Sequence, residues 1–555
     1  MLRAHVVVWG LIGAVIVGAS ARAQPAATLV ADLNTTPNTS GGGTRGSQPT
    51  NFHVVGDRLL FTTREDFTWV CVTDGVSIGR IGIASGVDLT AIVEIAGNRW
   101  CAFGSGPALL LIDPDVVVPP NSPDPSLPIL TILASNLNMS VSGVAALEGG
   151  RTLVIAGYNP LSPSRLLAFD TVTGVQTPLW TGSQAGVAIT MGESGGRVYF
   201  LDGGVYSTDG RTVVQEFNAP PYGNPIRLQQ PIVLANSRLV FLDYNSFVRS
   251  VNLTDHSIET LAYLYTPNGK LLALDPAHVA ITSDPFPSLT HNFFTSDGTL
   301  QGTFEHPQTQ LAWTPARPTI TRIGSMIAYL TGPSQSTSGG LAAAPIDGPS
   351  GALLGTWFSN LDNGGGYPRP SALRGRVLAL MPHNHDLNVE SYSLAGGPMQ
   401  QVYSFPAGPA TGPFGVTRGF TDTAGVHDGR MYVMAYPLGN TPGAVWTFTG
   451  NPAGNRVIAT IPVGVQGVRS EYAFAAGRLF FAATDGVHGD ELWSVPLPPA
   501  CPGDFDGDET VAVADILAMI GAFFAGDLAA DADGNGVLAV ADVFRFLNDW
   551  FAGCS

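Results

Sequence analysis

Charge is scarce in this chain of 555 residues, and lysine is nearly absent. Only 12% of the residues are charged, and Lys270 stands alone among 26 basic residues. Against these stand 43 acidic residues, for a formal net charge of −17. That balance excludes nucleic acid as a partner, because phosphate binding needs a basic face. Cysteine is also sparse, with four in all. Long apolar runs are missing beyond the N-terminus, so no transmembrane helix is expected after processing. What is present in quantity is glycine and proline, 67 and 42 residues, within a chain that is 45% hydrophobic. The apolar share supports a sizeable core and argues against disorder over most of the length. The glycine and proline share predicts many turns and short strands rather than long helices. The length suits one large domain plus a small one.

The N-terminus reads as a secretory signal over residues 1–23. Arg3 supplies a positive start, Val6 to Val17 a short apolar stretch, and Ala21-Arg22-Ala23 a small-residue cleavage site. The mature protein is expected from Gln24, secreted or held at a bacterial cell surface. In an exported chain four cysteines suggest two disulfides, with three possible pairings. Position favours Cys71–Cys101 in the large domain and Cys501–Cys554 around the small one.

Residues 24–49, rich in Thr, Gly, Ser and Asn, read as a flexible leader. A loose repeat then fills residues 50–495. Its clearest unit is Gly477-Arg478-Leu479-Phe480-Phe481-Ala482-Ala483-Thr484-Asp485-Gly486, followed by Gly489-Asp490-Glu491-Leu492-Trp493-Ser494-Val495. Turn, apolar strand, turn and second strand make a hairpin pattern. Degenerate starts occur at Arg58, Arg99, Arg151, Arg197, Arg238, Gly324-Ser325, Arg376, Arg430 and Arg478, with a faint one at His278-Val279. Several units carry a further turn, Thr73-Asp74-Gly75, Thr208-Asp209-Gly210 or Ser296-Asp297-Gly298. A spacing of about 40 to 54 residues is that of a four-stranded propeller blade. Nine or ten starts exceed the usual four to eight blades; a single propeller of open blade number is expected. The stretch ending in Glu491-Leu492-Trp493 resembles the ELW/TDGT repeats of bacterial secreted β-propellers. That resemblance implies a fold and leaves activity open.

After a proline-rich linker at 496–500 comes the sharpest chemical signal, a duplicated twelve-residue calcium-loop pattern. Copy one places Asp504, Asp506, Asp508 and Asp515 at positions 1, 3, 5 and 12, with Thr510 offering a backbone carbonyl. Copy two places Asp531, Asp533, Asn535 and Asp542 there, with the Val537 carbonyl. Calcium is a hard cation that takes six to eight oxygens, and this is the oxygen set such a loop needs. Position 6 should be glycine; Gly536 complies and Glu509 does not, so two Ca2+ sites are expected with the second better formed. Each loop runs into an apolar helical pattern, Ile516, Leu517, Ile520, Phe523 and Phe524 in one case, Val543, Phe544, Leu547, Trp550 and Phe551 in the other. Neither loop has a helix before it.

Duplicated loops with following helices, the stretches Ala512-Val513-Ala514-Asp515 and Ala539-Val540-Ala541-Asp542, and the ending Trp550-Phe551-Ala552-Gly553-Cys554 resemble the dockerin family. The resemblance covers residues 501–555. It implies calcium-dependent folding and docking to a cohesin-like receptor through Val513, Ala514 and Ile516 and their counterparts Val540, Ala541 and Val543. These are small and apolar, where dockerins often place hydroxyl residues, which leaves the partner type open. The plainer alternative is a calcium-stapled terminal module with no receptor.

Other chemistry is weak. Gly192-Glu193-Ser194-Gly195-Gly196 has the look of a nucleophile turn without a triad around it. His383-Asn384-His385-Asp386 offers a pair of imidazoles, a pattern commoner in solvated loops than at metal sites. His488 and Glu491 belong to the repeat. Trp69, Trp180, Trp313, Trp357, Trp446 and Trp493 suit blade cores better than a polysaccharide-binding surface. The expected architecture is mainly β, a propeller of four-stranded blades followed by a small α-helical calcium-binding domain. The expected function is an exported, non-enzymatic binding or structural protein. The competing class is a polysaccharide-degrading hydrolase or lyase with its active site on the propeller face, which would need a converging carboxylate pair.

Overall fold

The computed structural model describes residues 25–34 and 46–554, without 65–67, 85–88, 96–98, 105–108, 113–130, 135–139, 160, 186–190, 203, 219–231, 244–245, 265–269, 283–292, 307–319, 332–337, 349–351, 359–369, 374, 384–385, 395–398, 406–420, 436–441, 509 and 533–536. The expected signal segment, residues 1–23, lies outside them. So do Trp313 and two members of the His383–Asp386 stretch, Asn384 and His385.

The chain folds as a β-propeller followed by a small helical domain. Among the described residues there are eight four-stranded antiparallel sheets and one of eight strands. The larger sheet is two four-stranded units joined by a single parallel bridge, Phe358 to His383. Ten blades result, over residues 50–84, 89–134, 140–185, 191–218, 232–263, 270–306, 320–358, 370–405, 421–461 and 466–496. All ten predicted starts, including the faint one at His278, open the second strand of a blade.

The blades close into one ring, and those whose side chains are described bury their faces against neighbouring blades. Second and third strands carry nearly continuous apolar runs, as a strand covered on both faces must. Strand Arg478–Thr484 is buried from Leu479 to Ala483, and Asp490–Pro496 from Glu491 to Val495. Shared clusters follow round the ring. Val154 and Leu166 of the third blade pack on Val198 and Phe200 of the fourth. Val433 and Phe448 of the ninth pack on Leu378 and Val389 of the eighth. Leu59 and Phe61 of the first meet Phe480 and Leu492 of the tenth, which closes the circle.

Two devices repeat. The arginine opening a second strand bonds a serine on the third: Arg197 to Ser207 at 3.1 Å, Arg376 to Ser391 at 2.6 Å and Arg478 to Ser494 at 3.0 Å through Nε. The turn before the fourth strand is an Asp-Gly turn in which the Asp carboxylate accepts N–H groups two and three residues on. Asp74 takes Val76 and Ser77 at 2.9 and 2.7 Å, and Asp209 takes Arg211 and Thr212 at 2.9 and 2.8 Å. These bonds hold both carboxyls below the usual carboxylate range. Glycine is required there twice over: Gly75 has φ +83°, and a Cβ on it would meet the Arg478 side chain at 2.1 Å.

One expectation needs correction. The leader 24–49 is not flexible throughout. Thr28–Ala31 pairs antiparallel with strand Asp490–Pro496 and completes the tenth blade, so the two ends of the propeller sequence share one sheet. An apolar strand edge pulls in whatever chain can pair with it. Ser47 then donates its hydroxyl to Glu491 at 2.5 Å. Cys71 is buried, and the side chain of Cys101, its expected partner, lies outside the described residues. Cys71 packs with Leu59, Phe61 and Phe480, towards the tenth blade, and Cys101 lies on the second strand of the second blade. The linker 496–500 packs on the propeller. Leu497 packs on the ninth and tenth blades, and Arg430 donates to the Pro499 carbonyl at 3.0 Å.

Candidate metal centre and docking face

The C-terminal domain has two helices, α1 (Val513–Ala525) and α2 (Val540–Ala552). Each begins the same way. Ala512 and Ala539 occupy the cap positions and have no side chain able to cap. The third helical residue substitutes: Asp515 accepts the Ala512 N–H at 2.7 Å, and Asp542 the Ala539 N–H at 2.8 Å. A carboxylate in the first turn also suits the helix dipole. Gly526, with φ +71°, ends α1 in a left-handed cap.

The core between the helices is small. Met519, Ala530 and Phe546 are buried, with Phe505, Ile516, Phe523, Val543, Leu547 and Trp550 packed round them. The Trp550 indole donates to the Ala512 carbonyl at 2.8 Å, tying α2 to the start of α1. Cys501 and Cys554 are joined, as expected, and clasp the two ends. Among the described residues it is the disulfide of the chain.

In the first loop Asp504, Asp506 and Asp508 converge, with one oxygen of each within 4.8 Å of the others. Asp504 is buried, Asp506 half-buried and Asp508 exposed, so the trio forms a funnel from protein to solvent. The loop is drawn inward by its own amides. Asp504 Oδ1 accepts the Gly507 and Asp508 N–H groups at 2.8 and 3.0 Å. The left-handed turn falls on Gly507, φ +77°, at position 4 of the loop. Asp515 stands apart from the trio: besides Ala512, it accepts the Asp506 N–H at 3.0 Å. Thr510 donates its N–H to Asp508 at 2.8 Å, and its hydroxyl to the same oxygen. Those two bonds, hydroxyl first, hold the Asp508 carboxyl below its ordinary range. Three like charges this close need a counter-charge, and an all-oxygen donor set fits a hard cation. The trio is therefore a site able to hold a metal ion.

In the second loop Asp542 bonds the Ala532 N–H at 3.1 Å, the counterpart of Asp515 in the first. Asp531 is half-buried and Val537 exposed. Asp533, Asn535 and Gly536, like Glu509 of the first loop, lie outside the described residues.

Beside the loops the helices present an unpartnered apolar face. Val513, Ala514, Val540 and Ala541 are exposed, as a recognition surface requires. Ile516 and Val543 are half-buried and pack against the domain core. The sequence reading missed how far the face runs. Leu517 and Phe524 continue it along α1, Phe544 and Phe551 along α2, with Phe524 82% and Phe551 77% exposed. Each lies four or eleven residues past Val513 or Val540, on one side of its helix. Helical periodicity alone does not separate two apolar stripes, one inward and one outward.

Elsewhere the weak signals resolve into structure. Gly195 and Gly196, φ +59° and +71°, form the hairpin turn between Ser194 and Arg197, unlike a strand-to-helix nucleophile turn. His488 bonds Asp485 at 2.6 Å within the repeat's Asp-Gly turn, and that bond raises its pKa. Trp69 and Trp493 are buried in blade cores; Trp180 and Trp446 pack against neighbouring aromatics. The His383 and Trp357 side chains lie outside the described residues.

No protein-family model matches the chain, and no curated protein matches it. Among solved structures it is similar to a prolyl endopeptidase at 11% identity, covering 79% of this chain and 54% of that one, TM-score 0.33. The chain thus spans about half the length of that structure. It is also similar to an oligogalacturonate lyase from Vibrio parahaemolyticus, 11% identical over 54% of this chain and 89% of that one, TM-score 0.33. An oligogalacturonate lyase in complex with manganese is 12% identical over 68% and 96%, TM-score 0.32. Likeness of this degree says nothing of activity. No helix among the described residues is long and apolar enough to cross a membrane.

Proposed function

We propose that the protein is an exported, non-enzymatic binding or structural protein whose propeller is held in place through a calcium-dependent, dockerin-like C-terminal domain. One observation carries this reading: the two helices keep matched apolar stripes in solvent, next to a converging carboxylate trio. A domain with so few core residues would bury Phe524 and Phe551 if no partner took them, since exposed apolar patches of this kind mark interaction sites. The resemblance to dockerins supports a cohesin-like receptor as that partner. Calcium suits the trio because it takes carboxylates and carbonyls at flexible geometry. Two sites follow from the duplicated loop. The disulfide fits an oxidising, extracellular setting.

Binding of Ca2+ would neutralise Asp504, Asp506 and Asp508 and order the loops. Both helix starts are then set, because Asp515 and Asp542 cap them from inside the loops. Calcium titration of the full chain by calorimetry, with far-ultraviolet circular dichroism, tests this. Two sites with a gain of helical signal are expected. No binding at millimolar calcium would overturn the calcium reading and leave a disulfide-clasped helical tail.

A further inference from the structure

The ninth blade grips the first acidic loop. Between its third strand, Gly443–Phe448, and its fourth, Arg456–Ile461, the chain makes one 3-10 turn at Pro452–Gly454. Asn451 caps that turn, its side-chain carbonyl accepting the Ala453 N–H at 3.0 Å. The amide nitrogen of the same side chain donates to the Asp506 carbonyl at 2.7 Å. The buried Thr449 hydroxyl donates to the Gly507 carbonyl at 2.8 Å. Gly454 sits so close that a Cβ there would lie 1.9 Å from the Gly507 oxygen. Arg430, on the same blade, fixes the linker at Pro499.

The two gripped carbonyls belong to peptide units whose N–H groups are also engaged. The Asp506–Gly507 unit donates the Gly507 N–H to Asp504 Oδ1, and the Gly507–Asp508 unit donates the Asp508 N–H to the same oxygen. Each plane therefore bridges a propeller side chain and the first carboxylate of the trio. Peptide units are rigid, so moving Asp504 with those bonds intact tilts both carbonyls against Thr449 and Asn451. Hydrogen bonds in such a chain also polarise one another.

We propose that the turn 449–454 is a built-in receptor for the first loop, so that divalent-cation loading of that loop and seating of the helical domain on the propeller form one coupled equilibrium. The proposal rests on the calcium reading above. Whatever the seat adds to cation affinity, the cation adds to the seat. Loading would thereby fix the direction in which the apolar face points, and unloading would release it.

Gly454→Ala is the sharp probe. Gly454 is not among the glycines in the left-handed region, so its backbone accepts alanine, and the added methyl would press on the Gly507 carbonyl at 1.9 Å and on the Thr449 hydroxyl that holds it at 2.4 Å. Thr449→Val is the second probe and removes one bond without adding bulk. Calcium is titrated into the full chain by calorimetry in a background of Asp531→Asn and Asp533→Asn, which silences the second loop. Affinity at the first loop should fall on the order of tenfold in Gly454→Ala and less in Thr449→Val, as lost hydrogen bonds of ordinary net strength predict. In the unmutated chain, calcium should slow hydrogen exchange over 449–454. Unchanged affinity in both variants, with no calcium effect on exchange, would overturn the coupling while leaving calcium binding intact. An unmutated chain that binds no calcium would instead overturn the calcium reading itself.

Discussion

The propeller and the C-terminal domain solve the same problem in opposite ways. In the propeller every blade finds two neighbours, and the first strand of the chain returns to seal the last sheet. Apolar residues such as Phe61, Phe200 and Phe480 end fully buried. The C-terminal domain is too short to surround its own helices. It buries Met519, Ala530 and Phe546, adds a disulfide, and leaves Leu517, Phe524, Phe544 and Phe551 in solvent. Burial rises with size, so the small domain needs covalent, ionic or partner stabilisation where the ring does not. Function is accordingly sought where packing is incomplete.

That contrast can be broken region by region. The largest effects should be local to one region. Phe480→Ala should cost the propeller about 3–5 kcal/mol, read as a lowered propeller transition in calorimetry with the helical domain unaffected. Cys501→Ser with Cys554→Ser should cost the helical domain about 4 kcal/mol in the chain-entropy model, and leave the propeller melting where it did. If either change moved both transitions equally, the two regions would be one cooperative unit.

Next come two buried titratable groups, which give the propeller a pH dependence of its own. Burial pushes the Glu491 carboxyl up to about 7, with Asp32 acting the same way and Ser47 opposing. The folded state then keeps a proton that the unfolded chain releases. Its contribution is full below about pH 4.5 and lost as pH rises to 7. Glu491→Gln should stabilise the propeller by up to about 3 kcal/mol at pH 8 and change nothing at pH 4, in melts across that range. Burial pulls the His306 imidazole down to about 4, so its slope has the opposite sign. The unfolded chain takes up a proton below about pH 6.5 that the folded state refuses, and about 3 kcal/mol is lost by pH 4. His306→Gln should flatten that acid limb.

The smallest effect on stability should fall on the exposed apolar face of the helices. Val513→Asp with Val540→Asp should shift the melting free energy by no more than about 0.5 kcal/mol, since both side chains are exposed. The same pair should abolish calcium-dependent retention of the full chain on a cohesin-like receptor. Retention unchanged by both substitutions would place recognition elsewhere.

Much of this was written in local pattern. A strand flanked by turns leaves a period, and Arg58 to Arg478 mark eight of the ten second strands because each arginine opens the same strand of its blade. Where the pairing partner is distant in sequence, the pattern is silent. Thr28–Ala31 looks like loop in composition, and its role depends on an edge more than 450 residues away. The alternation of its strand likewise turns Cys71 towards the tenth blade, a neighbour more than 400 residues on, where it meets Phe480.

By itself the sequence determined the blade repeat, the acidic loops, the helices after them and the clasping disulfide, all set by short-range spacing and side-chain chemistry. The tertiary structure alone decided that ten blades form one ring, that Glu491 holds the incoming N-terminal segment, and that Thr449 and Asn451 seat the first loop. Those outcomes depend on which surfaces meet across hundreds of residues, and no local periodicity encodes a meeting.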